Sequence, residues 1–192
     1  MELFLLMLNK NQKIAIYAEG SMGTLFAKMA EGVIRYSANP ITCVIDSHQA
    51  GKSVSEVCGI DKDIPILETI DEAFEFGSEV LLLGTAPSGG RLPESWIQII
   101  DKAIERGLSV VNGLHDNVND IFHSKLGSNQ WIWDIRNPIN KKPRIGAARA
   151  SFLSNQRILM IGTDMAVGKM TAGLELVDSL RAEAKDVVFL AT

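Results

Sequence analysis

The sequence predicts an α/β protein, in which a doubly wound parallel sheet is followed by the opening of a second α/β domain. Three observations carry this. Short apolar runs such as Val80 to Leu83 are apolar throughout, as strands buried on both faces of a parallel sheet must be. Between them lie segments whose apolar residues recur at helical spacing. Near the end of the chain, RILMIGTDMAVGKMTAGLEL (Arg157 to Leu176) reads as a new strand, a glycine-bounded loop and a helix.

Taken in order, Lys13 to Tyr17 is a strand that ends at the turn Glu19-Gly20, and Leu25, Phe26, Met29, Ala30, Val33 and Ile34 share a helical face. After the break at Asn39-Pro40, Ile41 to Asp46 restores strand character, and Cys58 falls in a helical segment. Ile64 to Leu67 is a strand and Thr69 to Phe76 a helix. Pro93 opens a longer helix with a stripe of Trp96, Ile97, Ile100, Ala103 and Ile104, and Gly107 closes it. Leu108 to Val111, a weaker helix over Asp116 to Lys125 and a strand over Trp131 to Ile135 complete the sheet. Pro138 to Ala148 mixes proline, glycine and basic residues, so the boundary is set there, with domains over 1–150 and 151–192. The second domain begins with the strand Arg157 to Ile161. Its helix is expected to bury Ala172, Leu176, Val177 and Leu180, and DVVFL forms its last strand.

Composition excludes several classes of function. The chain of 192 residues is 46% hydrophobic and carries a net charge of −4 without a basic stripe, which argues against nucleic acid as a partner. The short cluster KKPR at Lys141 to Arg144 reads as a solvated linker. Cys43 and Cys58 do not make a disulfide framework, and the scattered His48, His115 and His123 have no metal-ligand spacing, so no metal site is expected among them. The apolar MELFLLML at the N-terminus is too short to cross a bilayer and lacks the flanks of a signal peptide. It reads as a terminal strand, a helical turn or a subunit contact. A cytoplasmic protein is expected, with no membrane partner and with room for a homo-oligomer.

Ligands of open α/β sheets sit beyond the carboxyl ends of the strands. Gly20 and Gly23 follow the first strand, and Asp46, His48 and Lys52 follow the second. The fingerprint G-x-G-x-x-G is incomplete in EGSMG, although Asp46 is placed to meet a ribose hydroxyl. This group is a candidate site for a nucleotide or acyl carrier, with ordinary turn residues as the alternative. In GTAPSGGR, Ser88, Gly89, Gly90 and Arg91 suit an anion or a substrate carboxylate, because paired glycines turn amides outward and Arg91 adds a charged fork. His115, beside Asp116, is a candidate general acid or base, with a structural role as the alternative.

The late motif departs twice from G-x-x-x-x-G-K-[ST]. Five residues separate Gly162 from Gly168, and Met170 occupies the hydroxyl position after Lys169. Methionine has no oxygen for magnesium, which weakens the case for Mg2+ unless Thr171 substitutes. A lysine at a helix start behind bracketing glycines still points to phosphate.

The motif GTDMAVGKMT is similar to the P-loop of dethiobiotin synthetases, which share the five-residue spacing. Together with IRYSANPITCVIDSHQAGKSVSEV, LLLGTAPSGGRLPESW and LSVVNGLHDN, it makes residues 13–192 resemble a two-domain family long labelled only as a domain of unknown function. Some of its members are described as D-glutamate N-acetyltransferases, and others carry a loose epimerase/dehydratase label. The resemblance implies a Rossmann-like N-terminal domain followed by a P-loop domain. It carries the P-loop to Gly162, Thr163, Asp164, Gly168, Lys169 and Thr171, with Met170 as a family trait. The family's second domain runs on well beyond this length. Residues 151–192 are therefore expected to be the first part of a truncated P-loop domain, and the 192-residue chain is expected to be inactive on its own. The implied activity is acyl transfer from acetyl-CoA to an amino acid, with ATP or acetyl-CoA in the P-loop. The alternatives are an ATP-dependent ligase or kinase of the dethiobiotin-synthetase type, an NAD(P)-linked enzyme and a ligand-binding module.

Overall fold

The computed structural model describes residues 8–136, 148–164 and 167–190. The N-terminal MELFLLM, the linker with its KKPR cluster, and Met165-Ala166 of the late motif lie outside the described residues. Internal contacts divide the chain into two units, Met1–Asn140 and Lys141–Thr192.

Among the described residues, the first unit is built on six strands: β1 (Ile14–Tyr17), β2 (Ile41–Ile45), β3 (Ile66–Leu67), β4 (Val80–Leu83), β5 (Ser109–Asn112) and β6 (Ile132–Asp134). Their order is β3-β2-β1-β4-β5-β6, and every neighbouring pair is parallel. This is the doubly wound Rossmann-like arrangement, with its topological switch point between β1 and β4. Its described α-helices serve as covers or crossovers: α1 (Lys28–Tyr36), α2 (Val54–Cys58), α3 (Ile70–Glu75), α4 (Glu94–Glu105) and α5 (Val118–Phe122).

The period of two along a strand explains why β1 and β4 are apolar throughout. Ala15, Tyr17, Leu81 and Leu83 enter one core with α3, α4 and α5, and Ile14, Ile16, Val80 and Leu82 enter the other with α1 and α2. Each aliphatic side chain hidden as completely as Leu81 stabilises the unit by roughly 1.5–3 kcal/mol. Local chemistry sets the helix starts. Ser53 and Glu56 form a capping box at α2, Thr69 caps α3 and Asn117 caps α5.

Two helical faces differ from the sequence reading. Leu25 and Phe26 are 79% and 66% exposed, because Leu25–Ala27 form a 3-10 turn that breaks phase with α1. Only Ala30 and Ile34 of that stripe are fully buried. In α4, Ile97 sits at the margin of the stripe and is 36% exposed, whereas Trp96, Ile100, Ala103 and Ile104 are buried.

The second unit contains α6 (Lys169–Ala182). Residues 157–161 and 186–190 carry no strand assignment, which corrects the two strands expected there. A strand is defined by its ladder, and neither segment has a hydrogen-bonded partner strand among the described residues. Of the four residues expected to be buried in α6, only Val177 is. Leu176 and Leu180 are half-buried and Ala172 is exposed, while Gly173 is buried against Phe189 and Met160.

Among the described residues, no helix is long and apolar enough to cross a membrane.

Candidate functional site

The carboxyl ends of β2, β1, β4, β5 and β6 lie side by side, and most of the N-terminal candidates sit in the loops that leave them. Asp46, directly after β2, is fully buried. Its Oδ1 accepts the amides of Gly20 and His48, both at 3.0 Å, and its Oδ2 those of Ser21 at 3.1 Å and Met22 at 2.9 Å. The carboxylate therefore ties the loop after β1 to the end of β2. His48 is exposed, with its ring 3.5 Å from where a side chain on Gly20 would begin, and Lys52 donates to Gln49 Oε1 at 2.9 Å. An open cleft of about 510 Å³ lies here, with Gly23, Thr24, Gln49, Lys52 and Glu56 on its walls. On the opposite face of the sheet, where the Tyr17 ring meets Trp96 edge-on, the Tyr17 hydroxyl is pushed up to about 12 by burial and by the Glu19 and Asp46 carboxylates.

Across the switch point, the loops after β4 and β5 close on each other. His115 donates its amide to the Gly90 carbonyl at 2.8 Å. Gly90 holds φ at +65°, and a Cβ there would stand 2.5 Å from His115 Cδ2. Only glycine combines that backbone with the ring so close. The Gly90→Ala variant is expected to lose about 1–2 kcal/mol from the left-handed backbone alone and to displace the His115 ring. Urea unfolding and the His115 imidazole NMR signals check both effects.

Arg91 reaches Asp116 Oδ1 at 2.6 Å, and the Leu92 amide reaches Asp116 Oδ2 at 2.6 Å. The Leu92 amide first, and Arg91 second, hold the Asp116 carboxyl below the ordinary aspartate range. A depressed folded-state value means that the stabilising contribution is present above the unfolded value, near 3.8, and is lost as pH falls through the folded one. The melting temperature of Asp116→Asn should therefore fall less steeply than wild type below about pH 4, which melting curves from pH 2 to 5 measure.

Sequence reasoning passed over Asp134. It ends β6, accepts the amides of Val118 at 3.0 Å and Asn119 at 2.9 Å, and takes the Asn112 side-chain amide at 2.6 Å. An acidic residue at a strand end, as in WIWDI, is its signal.

In the second unit, Gly168 adopts the left-handed conformation and caps α6, which begins at Lys169. Lys169 Nζ folds back onto the Asp164 carbonyl at 2.5 Å, and a Cβ on Gly162 would meet Val167 at 2.7 Å and the Lys169 stem at 3.2 Å. Gly162, Asp164 and Lys169 are thus brought together, and Thr163 and Thr171 are exposed. This arrangement fits a phosphate. The start of a 14-residue helix offers amides and a positive dipole end, and the Lys169 ammonium lies one hydrogen-bond exchange away. Met170 supplies no oxygen to a cation.

Two domain models of one family match the chain: the domain of unknown function DUF1611_N, Rossmann-like, over residues 47–138, and DUF1611_C, a P-loop domain, over residues 144–192. The chain belongs to the DUF1611 family. A crystal structure of a DUF1611 family protein from Anabaena variabilis superposes with a TM-score of 0.82 at 38% identity, covering 90% of this chain and 51% of that one. A D-glutamate N-acetyltransferase from Pseudoalteromonas sp. is 35% identical over 127 residues, 65% of this chain and 37% of the relative. Another, from Tritonibacter scottomollicae, is 26% identical over 148 residues, 76% of this chain and 43% of the relative. The chain thus spans less than half the length of these two relatives.

Proposed function

We propose that the protein is an amino-acid N-acyltransferase that moves the acetyl group of acetyl-CoA to D-glutamate or a similar amino acid. The observation that carries this reading is the similarity to two relatives that both bear the name D-glutamate N-acetyltransferase, one of them at 35% identity. In the reaction, the acceptor nitrogen attacks the thioester carbonyl. The new N–C bond forms, the C–S bond breaks, and CoA leaves as the thiol while the amine gives up a proton.

In this proposal Lys169 and the first amides of α6 hold phosphates of the acyl donor. Arg91 exchanges Asp116 for an acceptor carboxylate, and Asp116 keeps the Leu92 amide as it does so. His115, exposed beside Gly90, is the proposed proton acceptor. Asp116 is assigned a positioning role, since both its oxygens face the Gly90–Leu92 segment and not a reacting atom.

The test is thiol release from acetyl-CoA by the whole protein. It should require both acetyl-CoA and D-glutamate, and absence of turnover over a panel of amino acids removes the reading. The likeness of GTDMAVGKMT to the dethiobiotin-synthetase P-loop favours one second reading, ATP in place of CoA. Acceptor-dependent ATP hydrolysis would select it.

A further inference from the structure

The Rossmann-like sheet raises the question of a dinucleotide. In such folds the pyrophosphate lies on the amides of the loop after the first strand and at the start of the following helix, and an acidic residue after the second strand takes a ribose hydroxyl. The residues present do not fit this use. The two halves of the fingerprint are bonded to each other, because Asp46 points into the loop and both its oxygens accept that loop's amides, Gly20, Ser21 and Met22, together with His48.

The helix start is closed as well. Thr24 Oγ1 accepts the Phe26 amide at 3.2 Å, and the first-turn Ala30 amide donates to the Gly84 carbonyl at 2.8 Å. The backbone at Gly84 approaches so closely that a Cβ there would stand 2.4 Å from Ile16 Cγ2 and 3.1 Å from the Ala30 Cβ. The Ser21 and Thr85 hydroxyls meet at 3.0 Å and join the β1 and β4 loops above this contact. In the neighbouring cleft, Lys52 is bonded to Gln49, and Glu56 is bonded into the capping box with Ser53.

We propose that the β1–β2 end of the sheet is closed to nicotinamide and flavin dinucleotides by the protein's own Asp46, whose carboxylate takes the place of the pyrophosphate. At this end the sheet keeps the Rossmann topology as a scaffold, with an internal carboxylate where related topologies bind an external anion. This is independent of which acyl acceptor the protein uses.

The experiment titrates NADH, NADPH and FAD into the whole protein and into Lys169→Ala, followed by nicotinamide or flavin fluorescence, with melting curves of Asp46→Asn in parallel. No saturable binding supports the inference, as does binding that disappears in Lys169→Ala and so belongs to the P-loop. The Asn variant places an NH2 group against backbone N–H donors, so a fall in its melting temperature, or its failure to fold, supports the structural role. Binding that persists undiminished in Lys169→Ala overturns the inference. An Asp46→Asn protein that melts with wild type also overturns it, since a carboxylate turned outward toward a ribose would leave stability unchanged.

Discussion

Replacing Asp46 by alanine is expected to destabilise the sheet-bearing unit by about 3–5 kcal/mol. Four backbone amides converge on its two oxygens at 2.9–3.1 Å, and the residue has no exposed surface. A buried donor left without an acceptor costs roughly 1–3 kcal/mol, and relaxation with entry of water recovers part of the total. The loss is a large share of the 5–15 kcal/mol that typically holds a domain together. Denaturant unfolding at neutral pH gives the number. A change below about 1 kcal/mol would mean that the loop finds other acceptors without the carboxylate.

The second large effect is on activity. Lys169→Ala should lower kcat/KM for the phosphate-bearing substrate by about 10–100-fold, because a hydrogen bond to a charged group contributes about 1.5–3 kcal/mol. Stability should change little. In this structure the Lys169 ammonium has a neutral carbonyl, that of Asp164, as its partner. Steady-state kinetics at several substrate concentrations, with the melting temperature as control, separate lost recognition from lost folding. An unchanged kcat/KM would remove the lysine from phosphate binding.

These two residues mark what was legible in the sequence. Lys169 could be read because a P-loop is local, and its glycines, lysine and helix start are all contiguous. The strands β1 and β4 were legible for a similar reason, since burial on both faces leaves an unbroken apolar run, and β2 and β5 depart from it only at Thr42, Ser109 and Asn112. Asp46 was legible as a position, the end of a strand, but not as a role. Its role depends on a loop 24 to 26 residues earlier folding back over β2, which no spacing reveals. Asp134 repeats the lesson, since it caps α5 from a strand 15 to 16 residues away.

Ion pairing is equally hidden. Arg91 and Asp116 were each read as chemistry, and the structure joins them across two loops. Where periodicity misled, the cause is also physical. Leu25 and Phe26 fit a helical stripe on paper, but a 3-10 turn rotates them outward. Residues 157–161 have the composition of a strand, yet a strand needs a ladder partner that composition does not specify.

In the proposed function the β1–β2 end of the Rossmann-like sheet is a scaffold closed by Asp46, Arg91 and His115 in the loops after β4 and β5 serve the acceptor, and the P-loop holds phosphates. Calorimetric titration of acetyl-CoA, and separately of ATP, into wild type, Lys169→Ala and Lys52→Ala tests this most directly. Lys52 is an exposed cation lining the N-terminal cleft, and Lys169 is a half-buried cation at the start of α6. The predicted result is an affinity about 10–100-fold weaker in Lys169→Ala and unchanged in Lys52→Ala. Weakening by Lys52→Ala, with Lys169→Ala binding as wild type does, would contradict this assignment of the phosphate site.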